Sequence, residues 1–172
     1  MGKLFTAKHD QDVQIMSEIV RFNARSFTTP GPVPFGAAVV ETKSGKLLLR
    51  ARNAVMREND PSSHAELRTV RLACKKLGKP SLAGYTLYST CEPCPMCMAN
   101  ALWARLDRVV FGATIDDANR HCSQIQISAE EVSRRSDMRC RVDGQVLRDE
   151  CYGLFTDPRM LKAFRKWSTG KA

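Results

Sequence analysis

A chain of 172 residues is long enough to form one domain whose core needs no disulfide bonds. Hydrophobic residues make up 43% of it, an ordinary share for a globular protein, and no apolar run reaches the roughly 18 residues that a membrane-spanning helix needs, which excludes a membrane partner. The net charge of +9 raises the question of nucleic-acid binding. A solvated basic surface is the simpler explanation, and a dedicated RNA-binding face is the alternative.

The cysteines and the first residues indicate a reducing compartment. Seven cysteines is an odd number, and the opening MGKLF is followed by no apolar stretch typical of a secretory signal. Free thiols together with a metal site fit these features better than a disulfide framework does. The sequence therefore predicts a cytoplasmic protein with a single domain over residues 1–172, in which 146–172 form a C-terminal helical tail.

The first part of the chain alternates between helix and strand signals. Helical spacing of apolar residues, such as Val13, Met16 and Val20, marks the first helix, and a stretch with three prolines and two glycines ends it. The predicted elements are a helix over 10–27, a loop over 29–36, a β-hairpin of 37–40 and 46–51, a helix from about 64 to 77, a strand over 85–90, a helix over 95–103 and a strand over 108–112.

The last third of the chain is less regular. Residues 113–137 predict a polar loop around Asp116-Asp117 and then a short helix, and 138–142 predict a fifth strand. A final helix begins near Leu147 and is interrupted near Pro158. Strands that alternate with helices in this way predict an α/β sandwich with a partly parallel sheet of about five strands.

Two short motifs bring together side chains that bind zinc. The sequence H-A-E at 64–66 carries an imidazole and a carboxylate, and P-C-P-M-C at 93–97 carries two thiols three residues apart. Each motif opens a predicted helix, so Cys94 and Cys97 share one helix face, and His64 leans out of the N-terminus of its own helix. His64, Cys94 and Cys97 can therefore hold one Zn²⁺ ion, and the helix dipoles favour thiolates.

Three protein ligands leave the fourth zinc position open, as in catalytic rather than structural zinc sites. Glu66, which is not a ligand, would then act as the general acid and base. Two alternatives remain open: Glu66 could pair with Ser63 in a helix capping box, and Cys91 could be a fourth ligand that closes a structural site. H-x-E followed by P-C-x-x-C is the signature of zinc-dependent nucleobase deaminases, and the joint occurrence of both motifs favours the catalytic interpretation.

The stretches NDPSSHAE at 59–66 and CEPCPMC at 91–97 resemble the motifs of the cytidine deaminase-like superfamily. Within that superfamily they resemble the branch of bacterial guanine deaminases and tRNA adenosine deaminases. The resemblance covers roughly residues 10–120. It implies a three-layer α/β/α sandwich with a mixed five-stranded sheet, a bound Zn²⁺ ion and a homodimer.

Other residues resemble the guanine deaminases in particular. The sequence P-F-G-A resembles their loop whose phenylalanine, here Phe35, lines the base pocket, and Asn53 matches the asparagine that reads the edge of the base. The sequence L-W-A-R is similar to their Y-W-A-R, whose tryptophan, here Trp103, packs near the substrate. Asp117 falls where these enzymes place an acid that contacts the exocyclic amine of guanine, although the neighbouring Asp116 leaves the register open by one residue. Ordinary core positions and a solvated loop are the alternatives for these residues.

The C-terminal part departs from the guanine deaminase pattern. The tail carries Phe164 and Trp167 but no tyrosine after Tyr152, whereas 146–151 resemble the last helix of tRNA adenosine deaminases. The resemblance implies hydrolytic deamination of a small-molecule nucleobase, guanine or a related free base, with release of ammonia. Editing of adenosine in tRNA, deamination of cytosine or isocytosine, and a structural zinc module used only for binding are the alternatives.

Overall fold

A computed structural model describes the backbone of residues 2–168 and the side chains of residues 9–167. None of the helices described is both long and apolar enough to cross a membrane. The helices are α1 (Gly2–Ala24), α2 (Val55–Glu58), α3 (Ala65–Leu77), α4 (Pro95–Trp103), α5 (Ile115–Asn119), α6 (Ala129–Arg134), α7 (Arg148–Thr156) and α8 (Pro158–Ser168), with a 3₁₀ turn at Arg25–Thr28. The strands are β1 (Gly36–Glu41), β2 (Leu47–Arg52), β3 (Tyr85–Cys91), β4 (Arg108–Ala113) and β5 (Arg141–Asp143).

The five strands form one mixed sheet in the order β2-β1-β3-β4-β5. Strand β1 runs antiparallel to both β2 and β3, whereas β3, β4 and β5 run parallel to one another. Nearly every residue of β3 and β4 is buried, because helices cover both faces of the sheet. This explains why β4 is almost continuously apolar after Arg108, and why the polar residues of β3 are limited to Thr86, Ser89 and Thr90 besides its tyrosines.

Alternate residues of the central strands contribute to two separate cores. Ala38 and Val40 of β1 pack with α1, α7 and α8 on one face of the sheet. Ala37 and Val39 point the other way and pack with α3, α4 and α6. The arrangement is a three-layer α/β/α sandwich with a mixed five-stranded sheet, and the predicted fold class is confirmed.

Three predicted elements differ from the observed ones. The first helix begins at Gly2 and ends at Ala24, where it tightens into the 3₁₀ turn, whereas the sequence predicted a helix from residue 10 through residue 27. The predicted polar loop at Asp116-Asp117 is wrong, because these residues belong to α5, which begins with a capping box between Thr114 and Asp117. The fifth strand is shorter and later than predicted, since it pairs with β4 only over Arg141–Asp143.

A buried ion pair ties α1 to the sheet. Both terminal nitrogens of Arg108 donate to the carboxylate of Asp12 at 2.7 Å, and the hydroxyl of Tyr88 donates to the same carboxylate at 2.6 Å. Arg108 also donates to Asp143. The carboxylates hold the pKa of Arg108 above its ordinary value although burial acts in the opposite direction. A charge in this position is stable only while its partners remain.

Replacing Asp12 with Asn should lower the free energy of unfolding by about 3 kcal/mol, because a buried guanidinium loses its bidentate partner and keeps only Asp143. Urea denaturation of the variant and of the unmodified protein measures this difference. Asp10→Asn is the matched control, since Asp10 is exposed on the same helix and should change stability by no more than about 0.5 kcal/mol. Equal denaturation midpoints for the two variants would contradict the assignment.

Candidate active site

The N-termini of α3 and α4 meet beside the end of β3 and carry the two motifs. His64 is the N-cap of α3 and Cys94 is the N-cap of α4, both with extended backbone and neither using its side chain as a cap. Pro95 occupies the first turn of α4, as the sequence predicted, and Cys97 follows in the same turn. The imidazole and both thiols are therefore free to converge on one point.

The capping-box alternative for Glu66 does not fit this geometry. Ser63 lies before the N-cap, and its hydroxyl donates to Glu58 at 2.6 Å and to Asp60 at 3.0 Å. Asp60 also accepts hydrogen bonds from the backbone N–H and the hydroxyl of Ser62. These contacts fix the loop before α3 and leave the carboxylate of Glu66 for another use.

The three predicted ligands form a compact donor set. The Nδ1 atom of His64 lies 3.6 Å from the sulfur of Cys94 and 3.6 Å from the sulfur of Cys97, and all three donor atoms lie within 4.8 Å of one another. Tetrahedral zinc with Zn–N of about 2.05 Å and Zn–S of about 2.3 Å requires a nitrogen-to-sulfur separation of about 3.6 Å. One imidazole and two thiolates are also ligands that zinc prefers. The donor set therefore fits a Zn²⁺ ion.

The electrostatics of the donor set favour a thiolate at Cys94. Hydrogen bonding from the thiol of Cys97, with a further contribution from His64, lowers the pKa of Cys94, whereas the same hydrogen bond and then burial raise the pKa of Cys97. Thiolate is the form in which cysteine binds a metal. Both cysteines also lie at a helix N-terminus, where the helix dipole stabilises negative charge.

Glu66 is a buried carboxyl beside the donor set. Its side chain is only 4% exposed, its Oε1 accepts a hydrogen bond from Ser89 at 3.2 Å, and its Oε2 lies 3.8 Å from the sulfur of Cys97. Burial raises the pKa of Glu66 to about 6. A carboxyl with a pKa near the working pH can both accept and return a proton.

Cys91 does not belong to the donor set. Its thiol is buried at the end of β3 and lies 3.7 Å from the carbonyl oxygen of Thr114. Within residues 9–167, the group that could hold a metal contains His64, Cys94 and Cys97 and no fourth cysteine. This geometry favours the open site over the closed structural site.

His64 and Cys94 of the donor set line a cavity of about 930 Å³ together with Glu66. Phe35 lines it, held by an edge-to-face contact with Phe155 at 5.2 Å. Asn53 also lines it, and its Oδ1 accepts the backbone N–H of Val55 at 3.1 Å. Because that oxygen is engaged, the amide nitrogen of Asn53 can donate to a ligand.

Two predicted substrate residues are not brought to this cavity. The side chain of Trp103, at the end of α4, is 72% exposed and lies outside the cavity lining. Asp117 is fully buried, and its carboxylate accepts hydrogen bonds from the backbone N–H of Thr114 at 3.0 Å and from Arg148 at 2.6 and 2.9 Å. Burial acts to raise the pKa of Asp117, but the hydrogen bond from the backbone N–H of Thr114, followed by the contacts with Arg148, lowers it below its ordinary value. In this chain Asp117 joins α5 to α7 instead of facing the cavity.

Sequence reasoning missed several residues of the cavity wall. Met96 lies between the two cysteines, and Ser123 and Gln124 belong to the stretch between α5 and α6 that gave no clear pattern. Trp167 reaches the cavity from α8, where it contacts Phe164 edge-to-face at 5.2 Å. The aromatic residues of the tail were visible in the sequence, but no local signal indicated that α8 folds back to the cavity.

Comparisons with known proteins agree with this site. The family model described as the cytidine and deoxycytidylate deaminase zinc-binding region matches residues 9–113, which include all three donors and Glu66. A guanine deaminase of Bacillus subtilis (strain 168) is 45% identical over 85 residues, which cover 49% of this chain and 53% of that relative. The matched part thus spans about half the length of that protein.

Two other relatives match over more of their length. A tRNA-specific adenosine deaminase of Bacillus subtilis (strain 168) is 36% identical over 146 residues, covering 85% of this chain and 87% of that relative. The solved structure of a guanine deaminase from Nitrosomonas europaea superposes with a TM-score of 0.74 at 25% identity, covering 87% of this chain and 81% of that one. With a family model that covers more than half of its residues and with these relatives, the chain belongs to the family of the cytidine and deoxycytidylate deaminase zinc-binding region.

Proposed function

We propose that this protein is a zinc-dependent hydrolase that deaminates a nucleobase, guanine or a related free base, and releases ammonia. The observation that carries the proposal is the donor set of His64, Cys94 and Cys97 beside the buried carboxyl of Glu66, with His64, Cys94 and Glu66 lining one cavity. The guanine deaminases among the relatives support the substrate class.

Each residue of the site has a chemical role in the proposed deamination. His64, Cys94 and Cys97 would hold the zinc, which would supply a nucleophile at neutral pH by lowering the pKa of water from about 15.7 to near 7. Glu66 would take one proton from the attacking water and pass it to a ring nitrogen while the water oxygen adds to the amine-bearing carbon; the second proton of that oxygen would then go to the amine as the C–N bond breaks and ammonia leaves. Ser89 holds the carboxyl of Glu66 in position through its hydrogen bond.

The cavity walls can orient a planar base. Phe35 offers an aromatic surface, and the amide nitrogen of Asn53 can donate to a ring nitrogen or carbonyl at the edge of the base. The amide of Gln124 and the hydroxyl of Ser123 line the same cavity and can accept a hydrogen bond from an amine. They offer an uncharged contact where the sequence predicted the acid Asp117.

Deamination of adenosine in a tRNA anticodon loop is the second candidate function. One relative that matches over 87% of its own length is a tRNA-specific adenosine deaminase. The cavity of about 930 Å³ lies at the upper end of the range of about 300–1,000 Å³ seen for pockets of drug-sized ligands, so it has room for a nucleotide as well as a free base. Arg57 at the cavity wall pairs with Glu58 at 3.1 Å through one terminal nitrogen, and its side chain is 71% exposed, so its other nitrogens are open to a phosphate.

A substrate panel tests both candidates. We expect purified zinc-loaded protein to release ammonia from guanine more rapidly than from adenine, cytosine or isocytosine, because the guanine deaminases among the relatives support that base. Ammonia release is measured for the four bases and, by inosine formation, for a tRNA anticodon stem-loop. If none of the four bases released ammonia and the stem-loop was converted to inosine, the second candidate function would replace the first. If no substrate reacted, both candidates would be contradicted.

The proposal also includes an oligomeric state and a cellular location. The resemblance to the family supports a homodimer, and the exposed Trp103 gives a second chain an apolar side chain to cover. The free cysteines of the chain support a location in the cytoplasm.

A further inference from the structure

Three arginines form a cluster on the edge of the sheet next to α1. Arg50 and Arg52 are two residues apart in β2 and so lie on the same face of the strand. The guanidinium carbons of Arg50 and Arg52 lie 4.3 and 4.0 Å from the centre of the Phe22 ring. Arg25, one turn beyond Phe22, is close enough to act electrostatically on Arg52. We call Arg25, Arg50 and Arg52 the arginine cluster.

Among the described residues, no ion pair neutralises the positive charge of the arginine cluster. Within residues 9–167, none of the three arginines forms an ion pair, and Glu18, the one acidic residue in the last two turns of α1, pairs with none of them. Arg52 donates to the carbonyl oxygen of Phe22, but its Nε is buried without an acceptor. Burial, and then repulsion from Arg50 and Arg25, lowers the pKa of Arg52. The arginine cluster therefore has a surplus of charge that an anion would neutralise.

The arginine cluster is joined to the cavity through both of its chain segments. Arg52 directly precedes Asn53, which lines the cavity, and Arg25 begins the 3₁₀ turn that leads to Thr29 and Gly31 in the cavity wall. Three residues of extended strand span about 10 Å, so Arg50 lies only that far along the chain from Asn53. A nucleic-acid strand with one base in the cavity can reach that far within a few nucleotides.

We propose that the arginine cluster binds backbone phosphates of an RNA strand whose target base enters the cavity. The inference rests on the second candidate function, and it names the surface that would hold the RNA. Guanidinium groups form bidentate contacts with phosphate oxygens, and recognition of a single-stranded loop combines such contacts with a base taken out of its stack. The competing role is protection of the edge strand β2 against pairing with another chain, for which exposed charges also serve.

Binding of an RNA anticodon stem-loop to the double variant Arg25→Gln/Arg50→Gln tests the proposal. Both side chains are exposed, and Arg52 is kept because it bonds to α1. We expect the dissociation constant to rise about tenfold near physiological salt. The plot of log K against log salt should become shallower by about 1.4, for two phosphate contacts at about 0.7 each.

The matched control is Lys79→Gln/Arg139→Gln, which removes two exposed charges elsewhere on the surface. Equal affinities and salt slopes for the two double variants would overturn the inference, and so would an unmodified protein that does not bind the stem-loop. Aggregation of the first variant with unchanged RNA affinity would assign the arginines to edge protection. Release of ammonia from free bases should be the same in all three proteins. If the unmodified protein released no ammonia from free bases, free-base deamination would be contradicted. The proposed phosphate-binding role of the arginine cluster would still be decided by RNA affinity.

Discussion

Replacing Glu66 with Gln should lower kcat/KM for deamination by about 10²–10⁴-fold, while zinc content and melting temperature stay close to those of the unmodified protein. Positioned proton transfer contributes about this much to an enzymatic rate. Glutamine has nearly the same volume and can still accept the hydrogen bond from Ser89, but it cannot carry a proton from water to the base. Steady-state kinetics, metal analysis and thermal denaturation of the same preparation measure the three quantities.

Two further variants sharpen this test. Glu66→Asp keeps a carboxyl but shortens its reach, so its activity should fall between those of the unmodified protein and Glu66→Gln. Glu130→Gln removes an exposed carboxylate at the start of α6 and should leave the rate unchanged. Near-normal turnover in Glu66→Gln would show that the proton is carried by another group.

The donor set could be predicted from sequence because each motif lies within one helix turn, where the spacing of the residues determines how their side chains are placed. A histidine N-cap and a Cys-Pro-x-Cys first turn place their side chains through local helix geometry alone. The single condition that local structure cannot supply is that the two helix N-termini meet. The 3.6 Å separations between His64 and the two sulfurs satisfy it.

The substrate residues were harder to predict because their roles depend on distant partners. The sequence shows two adjacent aspartates but not that Arg148, 31 positions later, pairs with the buried one. Asp117 therefore has no free carboxylate for a ligand, and Asp116 is exposed outside the cavity lining. Phe35 and Asn53 do line the cavity, because the loop before β1 and the end of β2 are fixed by sheet pairing.

The cavity wall formed by the tail shows a similar dependence on tertiary packing. Helix α8 carries apolar residues on one face, and Met160 and Phe164 are buried against α7 and α1. His121 stacks on Phe164 with ring centres 5.6 Å apart, which joins the tail to the loop after α5. The sequence predicted a final helix interrupted near Pro158, but only this packing determines that Trp167 reaches the cavity.

Replacing Cys97 with Ala should remove the zinc and, with it, both the activity and part of the stability. Cys97 is buried, so no side chain or solvent can easily take the place of its sulfur. A ligand that binds only the folded protein stabilises it by RT ln(1 + [L]/Kd), about 4 kcal/mol at a thousandfold excess over Kd. The variant should therefore lose most of the rise in melting temperature that added zinc gives the chelator-treated unmodified protein.

Cys91→Ala is the matched control for this variant, because Cys91 belongs to the same run of cysteines and is equally buried, yet its sulfur lies against Thr114. It should lose some packing energy but keep about one zinc ion per chain by metal analysis. Removing zinc from the unmodified protein with a chelator should lower its activity to that of Cys97→Ala. Adding zinc back should restore activity to the chelator-treated unmodified protein and to chelator-treated Cys91→Ala, but not to Cys97→Ala. If Cys91→Ala also lost its zinc, the site would have four protein ligands, and the open position that hydrolysis requires would be filled by sulfur.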